Sequence, residues 1–339
     1  MPFAEAIQVM TDNGASTPPL RVSYERLDAG QRLGEDVIAA IVFGTRSDQP
    51  TDPRYVSVDL EPCGDFRPAE VWRVQGKVRL DTSGPIRFVE CDHCTFGWLE
   101  LDELRLGGLE KASEVAYRAL LNFQYRRRHC HLWRIWNFIA DINQGTGDEE
   151  RYKVFSLGRA RAFAAANAQS LGRGYPAATA VGRPGGRRTV QVFWIAGGSS
   201  GAMIENPRQM SAYHYPRQYG PAAPSFSRAM TTETPMLLIS GTASIVGHAS
   251  VHAGDLSAQI DETCRNLEAL ARKHSMAKSF DSPDFPHNTL LRAYVRPGVD
   301  HRLIENHLRQ RYGDAACMFV TADICRRELL LEIEAIHHA

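Results

Sequence analysis

Through its first hundred residues the chain runs in short apolar stretches, at 20–27, 37–43, 55–60, 71–80 and 86–90, each cut off by Pro, Gly or Asp. This spacing predicts a strand-rich start. From 113 to 143 the apolar positions move to helical offsets, with Val115, Ala119, Asn122 and Phe123 followed by Trp133, Trp136 and Ile139, until Gly145 and Gly147 end the run. One long helix is expected there, and a second from about residue 156 to 171. A loop rich in Gly, Pro and Arg, residues 172–188, reads as a seam. Beyond it the pattern predicts strands at 189–196 and 235–246, a helix at 255–274, a strand at 289–295, a helix at 300–312 and strands at 317–320 and 328–336. Ile260, Cys264, Leu267 and Ala271 stripe the first of these helices, while Asp300 caps the second and Gly313 follows its end. Helices alternating with strands that also form hairpins predict an α/β protein, its helices packed on one face of mixed sheets.

A length of 339 residues suggests two domains at about 100–200 residues each. The seam divides them into an N-terminal α/β domain, 1–180, and a C-terminal one, 181–339. Lys+Arg and Asp+Glu both number 39, so no net field concentrates the chain on nucleic acid or an anionic membrane, and any anion must be met by local arginines. The longest apolar runs, such as 37–43, fall far short of the roughly 20 residues that span a bilayer. The start MPFAEAIQVM has no basic n-region, and a cytoplasmic protein is expected. Seven cysteines, an odd number scattered over a long chain, do not form a disulfide framework.

Period-two alternation near the C-terminus sends Leu329, Leu331 and Ile333 to one face and Glu328, Leu330, Glu332 and Glu334 to the other. If that second face closes a pocket, burial and a like charge raise the Glu332 pKa toward what a general acid needs; if it is solvated, it is a polar strand face. The segment 240–244 (SGTAS) is either a place where backbone approaches a ligand closely, with Thr242 and Ser244 offering hydroxyls, or a β-bulge. Cys91 and Cys94 have the CxxC spacing of a zinc knuckle, which His129, Cys130 and His131 could complete, but the second pair lacks a compact spacing and no metal is expected. No thioredoxin-like context supports a redox pair. The basic run 126–134 (RRRHCHLWR) reads as the outer face of a helix rather than a nucleic-acid patch, 182–188 (GRPGGRR) as a linker, and His248 and His252 as residues that need not share a face.

Three segments carry a resemblance: 136–163 (WNFIADINQGTGDEERYKVFSLGRARAF), 239–255 (ISGTASIVGHASVHAGD) and 322–334 (ADICRRELLLEIE). From about residue 110 to its end the chain resembles the chorismatases. The resemblance implies two related halves similar to the reactive-intermediate-deaminase fold, the second being catalytic, without metal or organic cofactor, acting on chorismate as a monomer or weak homo-oligomer. It makes Glu332 the acid that protonates the enolpyruvyl ether, with Glu334 second. Arg159, Arg161 and Arg217 are then the candidate carboxylate ligands, since guanidinium binds carboxylate through paired hydrogen bonds. Arg159 and Arg161 lie two apart, so on a helix only one of them faces a ligand. Tyr152, Tyr215 and Arg151 would wall the ring, and Ala243, the 240–244 segment and Cys325, seven residues before the acid, would help select the product. Cys325 is consistent with members that release pyruvate and form 3-hydroxybenzoate, 4-hydroxybenzoate or both, products that feed aryl pigments or quinones such as ubiquinone. The alternatives are a hydrolytic chorismatase giving a dihydroxycyclohexadiene carboxylate, and a non-catalytic ligand-binding protein on the same fold.

Overall fold

The computed structural model describes residues 19–28, 31–44, 52–65, 67–166, 174–183, 185–234, 236–278, 288–313 and 315–338. The N-terminal segment 1–10, the end of the expected second helix at 167–171, parts of the seam and Pro235 lie outside them. β1 (Leu20–Glu25), β2 (Val37–Phe43), β3 (Tyr55–Val58) and β4 (Ala69–Val74) make a four-stranded sheet in the order β1-β4-β2-β3. A six-stranded sheet follows, built from β5 (Arg79–Ser83), β6 (Ile86–Glu90), β7 (Cys94–Asp102), β8 (His131–Ala140), β9 (Ala177–Arg183) and β10 (Thr189–Gly197). Helix α1 (Leu109–Tyr125) precedes β8, and α2 (Arg151–Ala165) joins β8 to β9. The second six-stranded sheet comprises β11 (Met203–Ile204), β12 (Ala229–Thr231), β13 (Met236–Thr242), β16 (Thr289–Val295), β17 (Ala316–Thr321) and β18 (Leu331–His338). Between β13 and β16 come a small hairpin, β14 (Ile245–Val246) and β15 (Ala249–Ser250), and α3 (Leu256–Lys278); α4 (His301–Tyr312) joins β16 to β17.

The two larger sheets have one topology. Their orders, β5-β6-β7-β10-β8-β9 and β11-β12-β13-β18-β16-β17, place the last strand antiparallel between the third and fourth. Each ends in a parallel pair, β8 with β9 and β16 with β17, connected across α2 or α4 because a parallel pair needs a crossover too long for a hairpin. The halves are therefore related, as expected. β10 pairs with β7 and β8, so the division at 180/181 cuts through β9, and the change of sheet lies between β10 and β11.

Helices cover the outer face of each half. Ile135, Ile139, Val190 and Val192 pack with Ala112, Ala116, Tyr117 and Leu120, and Leu237, Ile239 and Ile333 pack with Ile260, Cys264, Leu267 and Ile304. The inner faces of all three sheets meet in one core that includes Trp72, Phe96, Trp136, Phe193, Leu238, Tyr294 and Val320. Burying both faces of central strands such as β2 and β10 gives the long apolar runs that the sequence shows.

The long helix expected over 113–143 is instead α1 followed by β8. The register of β8 against β10 slips at Trp133, since Ile195 faces Arg134 and Ala196 faces Leu132. This bulge brings Trp133 and Trp136, three apart, to the same central core, which imitates a helical stripe. The basic run 126–134 accordingly follows α1 as a turn and the start of β8 rather than a helix face. The expected cap holds: the Asp300 side chain accepts from the Arg302 N–H at 3.0 Å, and Gly313 closes α4 at φ 60°. Among the described residues, no helix is long and apolar enough to cross a membrane.

Candidate active site

Where β9 of the first half meets β13 of the second, the Ala178 N–H donates to Ser240 Oγ and the Gly241 N–H to Thr179 Oγ1, both at 2.9 Å. Beside this contact opens a cavity of about 220 Å³. Both halves build it. Tyr152, Lys153 and Arg159 come from α2, Tyr215, Tyr219 and Arg228 from the chain before β13 and at its edge, and Cys325, Arg326 and Glu332 from the approach to β18 and from β18 itself.

β18 alternates as its sequence predicts, with Leu331, Ile333 and Ala335 in the helix-covered core and Glu332 and Glu334 on the inward face. The strand begins at Leu331 rather than 328, so Leu329 escapes the alternation and lies in the central core. Opposite β18 the register of β13 slips: Ile239 faces Ala335, and Thr242 faces Ile333. The segment 240–244 thus contains a β-bulge and also borders the cavity, through Gly241 and Ala243. A Cβ on Gly241 would overlap the Glu332 carboxylate, so glycine there makes room for that side chain.

Glu332 is buried and faces the cavity, with the Cys325 thiol 4.0 Å from its Oε2. Burial, reinforced by the Glu334 charge and opposed by Arg134 and Arg228, pushes its carboxyl up to about 8. Glu334 is equally buried but held differently. It accepts from Thr179 Oγ1 at 2.6 Å and Trp136 Nε1 at 3.1 Å, and pairs with Arg134 at 2.7 Å and Arg292 at 2.9 Å. Burial would raise this carboxyl too, yet Arg292 and Arg134 bring it below the ordinary carboxylate range. Arg292 in turn pairs with Glu70 of β4, which accepts from Trp72 Nε1 at 2.8 Å, so the four-stranded sheet is tied into the network.

Of the arginines expected on the ligand, Arg159 lines the cavity, 1 % exposed against Tyr117 and Phe155, with no hydrogen-bond partner for its Nε and Nη2. Arg161 is on the outer side of α2 and pairs with Glu110. Arg217 is exposed, bound through both terminal nitrogens to Asp148 at 2.8 and 2.6 Å, and Arg151 is held by Glu103 and the Ala140 carbonyl; neither lines the cavity. Tyr152, Tyr215, Ala243 and Cys325 do line it. Burial first, and Glu332 next, push the Cys325 thiol up to about 12, so it is a neutral wall rather than a nucleophile. Thr242 and Ser244 turn their hydroxyls to the backbone carbonyls of Ser240 and Val251, and Glu334 lies behind Glu332 rather than in the cavity wall.

The pattern missed Arg228 and Arg326. Arg228 reaches the Tyr215 hydroxyl at 2.6 Å and keeps its Nε without a hydrogen-bond partner. Arg326 sits 4.0 Å over the Tyr219 ring and donates to the His248 carbonyl and Ser250 Oγ. Arg326 is next to Cys325 and so was within reach of motif reading; nothing in the chain around Arg228 marks it.

A buried carboxyl raised to about 8 and guanidinium groups around one cavity, at the junction of two repeated α/β halves, make a candidate site for a small anionic molecule. A family model described as Chorismatase FkbO/Hyg5-like, N-terminal, matches residues 70–196. A 3-hydroxybenzoate synthase of Streptomyces hygroscopicus is 34% identical over 68% of this chain and 70% of its own length, and a chorismatase of Streptomyces rapamycinicus is 30% identical over 94% and 99%. The crystal structure of a chorismatase superposes with a TM-score of 0.83 at 27% identity, covering 96% of this chain and 100% of that one. The chain belongs to the chorismatase family.

Proposed function

We propose that the protein converts chorismate to pyruvate and a hydroxybenzoate, with Glu332 as general acid. The observation that carries this reading is the Glu332 carboxyl, buried on the cavity wall and raised to about 8, so that it keeps its proton at neutral pH. The carboxyl delivers that proton to the methylene carbon of the enolpyruvyl ether, and an oxocarbenium centre forms at the ether carbon. The new Glu332 carboxylate then stabilises the cation. Arg159 and Arg228, which line the cavity and keep buried nitrogens without a hydrogen-bond partner, receive the two carboxylates of the substrate, and Tyr152 and Tyr215 flank its ring.

Attack by the neighbouring ring oxygen displaces pyruvate and leaves an epoxide that opens to 3-hydroxybenzoate. Direct elimination of pyruvate gives 4-hydroxybenzoate. Neither route consumes water, and chorismate equals pyruvate plus hydroxybenzoate atom for atom. Cys325 and Ala243, which line the cavity, support the aromatising outcome, as does the similarity to a protein named 3-hydroxybenzoate synthase.

The test incubates purified protein with chorismate, resolves the products by chromatography and mass spectrometry, and assays pyruvate. Hydroxybenzoate and pyruvate in equal amounts are expected. A non-aromatic diol would make the enzyme a hydrolase, and chorismate that decays no faster than in buffer would overturn the reading.

A further inference from the structure

The turn joining β6 to β7 carries Cys91 and Cys94 with Asp92 and His93 between them. The Cys91 N–H donates to the Cys94 carbonyl at 3.0 Å, which closes the turn and brings the two sulfurs within 3.7 Å. The N–H groups of His93 and Cys94 each point at Cys91 Sγ from 3.4 Å. The hydrogen bond from Cys94, helped by these two backbone donors, outweighs burial and lowers the Cys91 thiol to about 6, while Cys94 is raised well above its ordinary value. Cys91 is 7 % exposed and Cys94 1 %, so the Cys91 sulfur is the more accessible of the two. Among the described residues, no three His, Cys, Asp or Glu side chains converge as a metal site, and His129 is engaged by Thr95 and the Asp92 carbonyl.

We propose that Cys91 and Cys94 form a reversible dithiol–disulfide site, oxidised by low-molecular-weight disulfides such as glutathione disulfide. The Cys91 thiolate attacks one sulfur of the small disulfide, forming a mixed disulfide and expelling one thiolate, which takes the Cys94 proton. Cys94 then attacks Cys91 Sγ, forming the intramolecular bond and releasing the second small thiol after protonation. Two protein thiols are oxidised, one disulfide is reduced to two thiols, and no further reactant is needed. The sulfurs must close from 3.7 Å to about 2.05 Å. Residues i and i+3 of a tight turn have Cα atoms within about 7 Å, overlapping the span of roughly 4.4–6.8 Å that a disulfide bridges, so side-chain rotation and a small adjustment of the turn suffice. The bond would staple the end of β6 to the start of β7, where Glu90 and Asp92 hold the connection from α1 to β8 through Arg127 and His129. None of these residues lines the cavity, so the site stands apart from the proposed reaction.

The experiment equilibrates the full chain in glutathione buffers of varying reduced-to-oxidised ratio, quenches in acid, alkylates free thiols and maps peptides by mass spectrometry. The expected result is a reversible loss of two alkylatable thiols, both in the peptide that contains Cys91 and Cys94. In Cys94→Ser the oxidant should stop at a glutathione adduct on Cys91, and in Cys91→Ser no bond or adduct should form at this turn. Wild-type protein that remains folded and fully reduced at every ratio would overturn the proposal, as would a disulfide mapped to other cysteines.

Discussion

Glu332 and Glu334 stand two residues apart on one strand face, yet their surroundings drive them to opposite protonation states. Glu334 has two guanidiniums and two further donors and stays ionised; Glu332 has a thiol at the limit of contact and keeps its proton. The proposed acid should therefore show itself in pH dependence: kcat/KM is expected to fall as pH rises past about 8, where Glu332 ionises. Glu332→Gln should lower kcat by at least ~10²-fold while chorismate still binds, and turnover near the wild-type value would remove Glu332 from the mechanism. Stability should move the other way. The folded chain holds a proton that the unfolded one releases above about pH 4.3, so stability present at low pH is lost as pH climbs toward about 8. Glu332→Gln abolishes that loss, and its Tm should exceed the wild-type value by ~2 °C or more above pH 8 and converge with it in acid, as read by calorimetry. For the arginines, titration of chorismate into the Glu332→Gln background separates roles. Arg159→Ala should weaken binding at least ~10-fold, since charge-assisted hydrogen bonds are lost, whereas Arg217→Ala should change it less than ~3-fold because its exposed pair with Asp148 lies off the cavity.

At the scale of elements, irregularity marks the site. The bulge in β13 falls beside Glu332, and Gly241 within it leaves the volume that the carboxyl occupies. Gly241→Ala should cost about 10²-fold in kcat by displacing the acid, while circular dichroism and Tm stay close to wild type. An alanine variant with unchanged turnover would show that the bulge does not hold Glu332 in place. A second bulge, at Trp133 in β8, has no cavity beside it but turns two tryptophans three residues apart toward one core. Both departures from regular alternation are invisible to a periodicity reading, which assumes an unbroken phase. Where the phase is unbroken, as along β10 and β16, the expected and observed strands coincide to within a residue.

Across the whole molecule, three sheets close around one core, and the four-stranded sheet does more than cover an apolar face. It contributes Trp72 to the aromatic packing, 5.8 Å from Trp136, and sends Glu70 inward to Arg292, which pairs with Glu334. The buried chain of charges from Glu70 to Glu334 thus joins the first sheet to the strand that carries Glu332. Removing one member leaves an uncompensated buried charge, so Glu70→Ala should destabilise the protein by ~3–5 kcal/mol in denaturant unfolding. Loss of the exposed Arg161–Glu110 pair, through Arg161→Ala, should cost under ~1 kcal/mol in the same measurement. Equal midpoints for the two variants would show that the network bears no weight in the fold.

Most strands, the capped α4, the inward face shared by Glu332 and Glu334 and the absence of a net charge are properties of the sequence alone. Alternation and capping act between residues a few positions apart, so a linear pattern records them. Which arginine lines the cavity was decided elsewhere. Arg159 and Arg161 differ only in which side of α2 they occupy, and that side acquires meaning once α2 is laid beside the second half. The cavity exists because β9 touches β13 across some 62 residues of chain, and Arg134 reaches Glu334 across 200. Contacts at such separation come from the burial of apolar faces between sheets, which is non-directional and leaves no local signature. Tertiary packing alone therefore chose the partners that raise the carboxyl of one glutamate and lower that of the other.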